Sequence, residues 1–275
     1  MRRRMALAVS VALIGFAPAL SAPAATAKTA GCAPDAVAVG PVCIDKYEAS
    51  VWNIPASNAG LIKQVQQGLA TATALTTGGA TQISPSPSCF PAVPATFDAA
   101  GNWKDPLYAA SIAGVRPTAC VSWFQAEQAC ALSGKRLLTN QEWQRAAAGT
   151  VDPGANNGLA NTKCHTAGTG PRATGSAGAT GGGADSCISN WGVQDMVGNV
   201  WEWVADWVPW STGCVPALFD SGDFSCLAGA STTSGPGALY RGGNWSSGAG
   251  AGIFALDGLH LPSFAFAGIG FRCAR

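Results

Sequence analysis

The chain has 275 residues, of which 11% are charged, and a formal net charge of +1. That balance offers no basic surface for nucleic acid or an anionic membrane, so neither is expected as a partner. Thirty-five glycines point to a loop-rich body rather than a helical one.

Arg2, Arg3 and Arg4 precede an apolar run from Ala6 to Leu20, and small residues follow to Ala25-Thr-Ala27. This pattern predicts a signal peptide over 1–27 and an exported protein: periplasmic, cell-surface or secreted. The run is shorter than the roughly 18–20 residues of a membrane span, and Pro18 interrupts it, so the mature chain is not expected to cross a membrane. A twin-arginine route and lipid attachment at Cys32 are alternatives that the same residues leave open. Loss of the three arginines takes the formal charge from +1 to −2 and leaves residues 28–275 as the working domain.

Ten cysteines in an exported chain predict up to five disulfides. No Cys-x-x-Cys pair exists and only two histidines are present, which argues against zinc. Short loops favour Cys32–Cys43, Cys164–Cys187 and Cys214–Cys226.

Residues Val42 to Ser50 read as an early strand and Leu61 to Leu69 as a short helix, with Thr76 to Pro94 as a Gly/Ser/Pro-rich loop. Ser122-Trp-Phe-Gln125 and Thr139-Asn-Gln-Glu142 are capping boxes, and Gly134 and Gly149 stand where the two helices should end. Trp123 and Trp143 are expected to pack in the core. Residues 150–187 lack periodicity, but Cys164 and Cys187 should close them into an ordered loop. Asp195, Glu202 and Asp206 raise a paired-carboxylate hydrolase, yet no motif places them across a cleft. His165 and His260 have no nucleophile motif beside them.

Three motifs carry a resemblance: Asp195-Met-Val-Gly-Asn-Val-Trp-Glu-Trp-Val-Ala-Asp-Trp207, Arg241-Gly-Gly-Asn-Trp245 and Gly270-Phe-Arg-Cys-Ala274. Together they resemble the formylglycine-generating enzyme (sulfatase-modifying factor) family. The resemblance implies an α+β, C-type-lectin-like fold, loop-rich and disulfide-stabilised. It also implies a Cys130–Cys273 bridge, with Cys89–Cys120 as the remaining pair. By position it implies a structural calcium ion on the carbonyls of Val197, Gly198 and Val200 and the side chain of Glu202, with Trp201, Trp203 and Trp207 as core and rim packing. Enzymes of that family hold copper on two cysteines after the Arg-Gly-Gly motif, where this chain has Ser247 and Gly252. Copper is therefore not expected, and formylglycine generation would need a relocated or atypical site.

The segment from Ser246 to Ile269 looks like the variable region of proteins diversified by retroelements, in which asparagine codons are randomised. Such codons never yield Lys, Glu, Gln, Met or Trp, and none of these five occurs in this segment. Composition alone gives such a gap about one time in twenty. The resemblance thus implies a variable binding region over 244–269. Its contact positions are Ser246, Ser247, Gly250, Asp257, Leu259, His260, Phe264, Phe266 and Gly268, with Phe264, Phe266 and Gly268 on one face of an extended strand. Phe254 and Leu256 resemble framework. The expected function is display of a ligand-binding surface, for an unidentified protein or glycan outside the cytoplasm, on a catalytically inactive scaffold.

Overall fold

Both capping boxes form, and they fix the two helices at the centre of the domain. Ser122 accepts from the Gln125 amide and Gln125 returns the bond, opening α3 (Trp123–Leu132). Thr139 and Glu142 do the same for α4 (Asn140–Ala146). Gly134 and Gly149 follow the two helices at φ +66° and +81°, left-handed values that suit glycine. The computed structural model describes residues 31–83, 103–151, 163–176, 187–209, 223–226 and 236–275, all within one unit spanning Gly31–Arg275. The expected signal peptide lies outside the described residues, as do Cys89 and Cys214.

Three small sheets surround the helices. A hairpin, β1 (Ala36–Val39) and β2 (Val42–Asp45), joins the last strand β12 (Cys273–Ala274) and β6 (Arg136–Leu137) in the order β1-β2-β12-β6. A second sheet has the order β4-β3-β5, from β3 (Ala49–Asn53), β4 (Thr81–Gln82) and β5 (Leu107–Ser111). The third runs β11-β7-β9-β10-β8, from β7 (Trp201–Val208), β8 (Ser225–Cys226), β9 (Gly237–Arg241), β10 (Leu256–Asp257) and β11 (Ile269–Phe271).

The strand expected over Val42 to Ser50 is two strands with a bend between them. At the bend, the Lys46 carbonyl accepts from the Gln194 amide and from Arg272, and the Tyr47 amide donates to Ser111 Oγ. The helix expected near Leu61 is α1 (Ala59–Gln66), capped by Asn58. The loop expected from Thr76 starts instead inside a short helix, α2 (Ala72–Thr77), capped by Thr71, and then gives β4. Strand β5 went unpredicted; its Leu-Tyr-Ala-Ala-Ser tract is buried throughout and lacks the alternation of a half-exposed strand.

Strand β7 separates two cores by its period of two. Trp201 and Trp203 face a core with Val51, Leu107, Leu137, Tyr240, Ile269 and Phe271. Val204 faces another with Ile44, Leu138, Trp143, Met196, Leu239 and Leu256. A register shift between Trp203 and Trp207 then turns the strand, and Trp207 is left 42% exposed against Trp123 and Phe124. Trp143 and Trp203 are core as expected, whereas Trp123 sits at the rim, half-buried, its indole donating to the Val204 carbonyl.

Disulfides Cys32–Cys43, Cys130–Cys273 and Cys164–Cys187 form as expected. Cys120 and Cys226 are also disulfide-bonded, and no cysteine among the described residues is free.

Arg272 is the most connected charge in the interior. Its Nη2 lies 2.6 Å from Glu202 Oε1, with both side chains 1% exposed. Its remaining donors reach the carbonyls of Asp45, Lys46 and Gln194. Replacing it with an apolar residue strands a buried carboxylate, so Arg272→Met is expected to cost about 3–5 kcal/mol. Denaturant unfolding checks this, with Glu202→Gln added to Arg272→Met recovering part of the loss.

Candidate ligand-binding face

The segment expected to vary wraps the open side of the five-stranded sheet and makes a cavity there. Trp201 of β7, Tyr240 of β9 and Ile269 of β11 form its floor, and His260, Phe264 and Phe266 form its walls, around about 220 Å³. The rings meet edge to face at Trp201–Tyr240 (5.1 Å), while His260 stacks on Phe264 at 3.9 Å. Phe266 is 42% exposed and Phe264 half-buried. Phe224 extends the patch: it is 44% exposed, lies edge-on to Trp201 and donates its amide to the Gly250 carbonyl.

The structure brings His260, Phe264 and Phe266 together as expected, with Gly250 beside them through Phe224. Ser246 is exposed and Ser247 half-buried, in a turn built on Asn244. The Asn244 amide oxygen accepts from the Ser246 amide and both hydroxyls, and Ser247 Oγ accepts from the Asn244 amide. Leu259 is half-buried at the edge of the loop.

Two expected contact positions are different in kind. Gly268 is buried, and a Cβ there would overlap the Asn244 side chain, so no larger residue fits without moving that turn. Asp257 is buried as well, its Oδ1 accepting from the Leu259 amide at 2.7 Å, and it supports the face from beneath. Residues 264–268 are also not a sheet strand. They form a turn-containing loop held by bonds from the Cys120 amide to Phe266 and the Trp201 amide to Gly268. Residues 201, 224 and 240 lie outside the segment expected to vary, and only spatial pairing brings them to the cavity.

The turn expected to hold calcium is organised around protein groups. Gly198 (φ +80°) has no room for a Cβ, which would strike the His165 carbonyl. Glu48, unremarked in sequence, bridges the Val200 amide (3.1 Å) and the Asn199 side chain. Glu202 receives Arg272 on both oxygens and the Trp143 indole at 2.7 Å. These three N–H donors leave about one of the carboxylate's four acceptor directions for a cation. A cation at this turn would rest on the carbonyls of Val197, Gly198 and Val200 and on that one remaining direction of Glu202. Ser247 and Gly252 flank the Arg241-Gly-Gly turn: Gly252 donates to the Gly242 carbonyl, and Ser247 packs near Gly243 beside Ala251.

Two outcomes follow from this turn. Chelation of calcium is expected to lower Tm through loss of a cation from these three carbonyls and Glu202; an unchanged Tm removes the cation from this turn. Asp195 is buried, which pushes its carboxyl up to about 6, against the pull of the Gly175 amide and Arg272. The folded state therefore holds this proton more tightly than the unfolded chain, and stability is lost as pH rises from about 4 through 6. Asp195→Asn keeps an acceptor for Gly175 and suits the φ of +57°. It is expected to raise stability at pH 8 by up to about 3 kcal/mol and to change little at pH 4, as read by thermal unfolding across pH.

Comparison with known proteins agrees with this architecture. Residues 99–275 match the sulfatase-modifying factor enzyme 1-like domain. Hercynine oxygenase of Mycolicibacterium smegmatis is 34% identical over 160 residues, covering 56% of this chain and 34% of that protein. An inactive Cα-formylglycine-generating enzyme 2 of Bos taurus is 35% identical over 116 residues, covering 38% of each. The chain thus spans little more than a third of the length of these relatives. Among solved structures, the Major Tropism Determinant P3c variant is similar with a TM-score of 0.47 and 22% identity, covering 88% of this chain and 52% of that one. With its α+β, C-type-lectin-like body and a family match over residues 99–275, well over half of its length, the chain belongs to the sulfatase-modifying factor, or formylglycine-generating-enzyme-like, family.

Proposed function

We propose that this protein is an exported, receptor- or adhesin-like ligand-binding protein that displays a diversified surface on a catalytically silent member of its family. The observation that carries the reading is the aromatic cavity of His260, Phe264 and Phe266 over Trp201 and Tyr240, open on the segment that contains no Lys, Glu, Gln, Met or Trp. Ser247 and Gly252 support it, since a hydroxyl and a hydrogen cannot hold copper(I) as two thiolates would. A relative described as inactive shows that loss of activity has precedent on this scaffold. The disulfides fit an oxidising compartment. Rigid support suits the role, because little ordering is left to be done when the partner, a protein or a glycan, arrives.

Two measurements test the proposal. The DNA beside the gene is expected to contain a near-copy of the coding stretch for 240–275, differing at template adenines, next to a reverse transcriptase; its absence removes diversification. Exposed Phe266 is expected to act as an anchor, so Phe266→Ala should weaken partner binding by about 1–3 kcal/mol while leaving Tm nearly unchanged. Oxygen uptake with a thiol peptide and added copper would instead favour an enzyme with an atypical site.

A further inference from the structure

The chemistry of the cavity lining narrows what can enter it. Among the described residues its side chains are Trp201, Tyr240, His260, Phe264, Phe266 and Ile269, with no carboxylate, carboxamide, ammonium or guanidinium group. Two of its polar groups are taken up by each other: the Tyr240 hydroxyl and His260 Nδ1 lie 2.5 Å apart. Whichever of them gives the proton, the two satisfy one another within the protein. The ring of His260 also stacks on Phe264 at 3.9 Å, and its carbonyl accepts from the Ala238 amide at 2.9 Å. Outside this pair, the lining side chains offer only the far nitrogen of His260 and the Trp201 indole.

Around the cavity the surface stays apolar. Phe266 is 42% exposed at its wall, and Phe224, 44% exposed, stands edge-on to Trp201. Through Pro262 the apolar surface continues: the Trp123 amide bonds the Pro262 carbonyl at 2.9 Å. Trp123 in turn joins Phe124 and the exposed Trp207 in an edge-to-face cluster. Exposed aromatics from the rest of the chain thus adjoin the segment expected to vary, and contiguous apolar surface of this kind marks a contact site.

We infer that the cavity seats one uncharged, apolar side chain of a protein partner, that Phe224 and Phe266 press on the partner's surface around it, and that a glycan is not the ligand. This rests on the reading of the face as a binding surface. About 220 Å³ is less than a drug-sized ligand needs and admits a single side chain. A charged side chain would lose its water there and meet no opposite charge. A sugar ring brings several hydroxyls, and each would be stripped of water against phenyl rings, with at most two side-chain groups to receive them. An apolar side chain loses no hydrogen bond on leaving water and gains from every ring it touches. A protein surface, unlike a small apolar molecule, also covers Phe224, which stands outside the cavity lining.

The test is an NMR titration of the whole chain with the blocked tripeptides Ala-Leu-Ala and Ala-Ser-Ala, with methyl glucoside and with methyl N-acetylglucosaminide. The leucine peptide is expected to shift the signals of Phe264, Phe266 and Phe224 saturably. It should bind at least about tenfold more tightly than the serine peptide, since an isobutyl group leaves water in place of a hydroxymethyl. The glycosides are expected to shift none of the three. In Phe266→Ala the leucine peptide should bind about fivefold more weakly, as truncation of a contact aromatic gives. A glycoside that binds as tightly as the leucine peptide overturns the choice of a protein, and the face then stands as a glycan site. Shifts that spare Phe224 overturn the protein surface in favour of a small apolar ligand. Equal binding of the two peptides, or no shift with any probe, removes the cavity as a subsite, and the face is then judged by loss of partner binding in Phe266→Ala alone.

Discussion

A single buried cation organises this fold. Arg272 stands between β11 and β12 and joins Glu202 of β7 to the carbonyls of Asp45, Lys46 and Gln194, which belong to three distant parts of the chain. Charges in an apolar interior are tolerable only when every donor and acceptor is met, so these segments can be packed in only one way. The Trp143 indole completes the Glu202 carboxylate and draws α4 onto the same point. Because side chains alternate along β7, fixing Glu202 inward on one side fixes Trp201 and Trp203 on the other. The polar core and the aromatic face are thus two sides of one strand.

The acids near this centre show what the arrangement costs. Glu48 and Asp195 are both buried near Glu202, and desolvation raises both carboxyls while the neighbouring carboxylates add to the effect. Glu48 nevertheless bonds the Val200 amide and the Asn199 side chain, and Asp195 bonds the Gly175 amide, so each ties a loop that has no strand to hold it. Cross-links offset the strain: each disulfide contributes about 2–4 kcal/mol, chiefly by limiting the unfolded chain. Cys164–Cys187 closes the stretch that contains Gly175.

Sequence made the local devices readable. Ser122-Gln125 and Thr139-Glu142 announce α3 and α4 because capping chemistry is completed within four residues. Cysteine spacing gave Cys32–Cys43 and Cys164–Cys187, and the resemblance gave Cys130–Cys273. What it could not show depends on partners far along the chain. Glu48 bonds a residue 152 positions away, and nothing near it in sequence hints at the role. Phe264 and Phe266 were legible as a patch, but the floor of Trp201 and Tyr240 comes from strands paired across the sheet. The apparent alternation at 264–268 misled because period two also arises in a loop pinned by backbone bonds. Gly268 reads as one more small residue until Asn244 is seen to occupy the space above it.

The segment over 246–268 is clamped where it leaves and rejoins the body. At one end the Trp245 amide bonds the Asn199 carbonyl; at the other Gly268 bonds Trp201, and three residues of β11 lead to Arg272 and the Cys130–Cys273 bridge. Between the clamps, β10 belongs to the sheet and Leu256 to the core with Trp143 and Met196, so the middle of the segment is part of the frame. An engineer could vary the outward-facing positions on either side of β10, Ser246 and Phe266 among them, and the replacements would inherit a ready-made footing, much as grafted antibody loops inherit theirs.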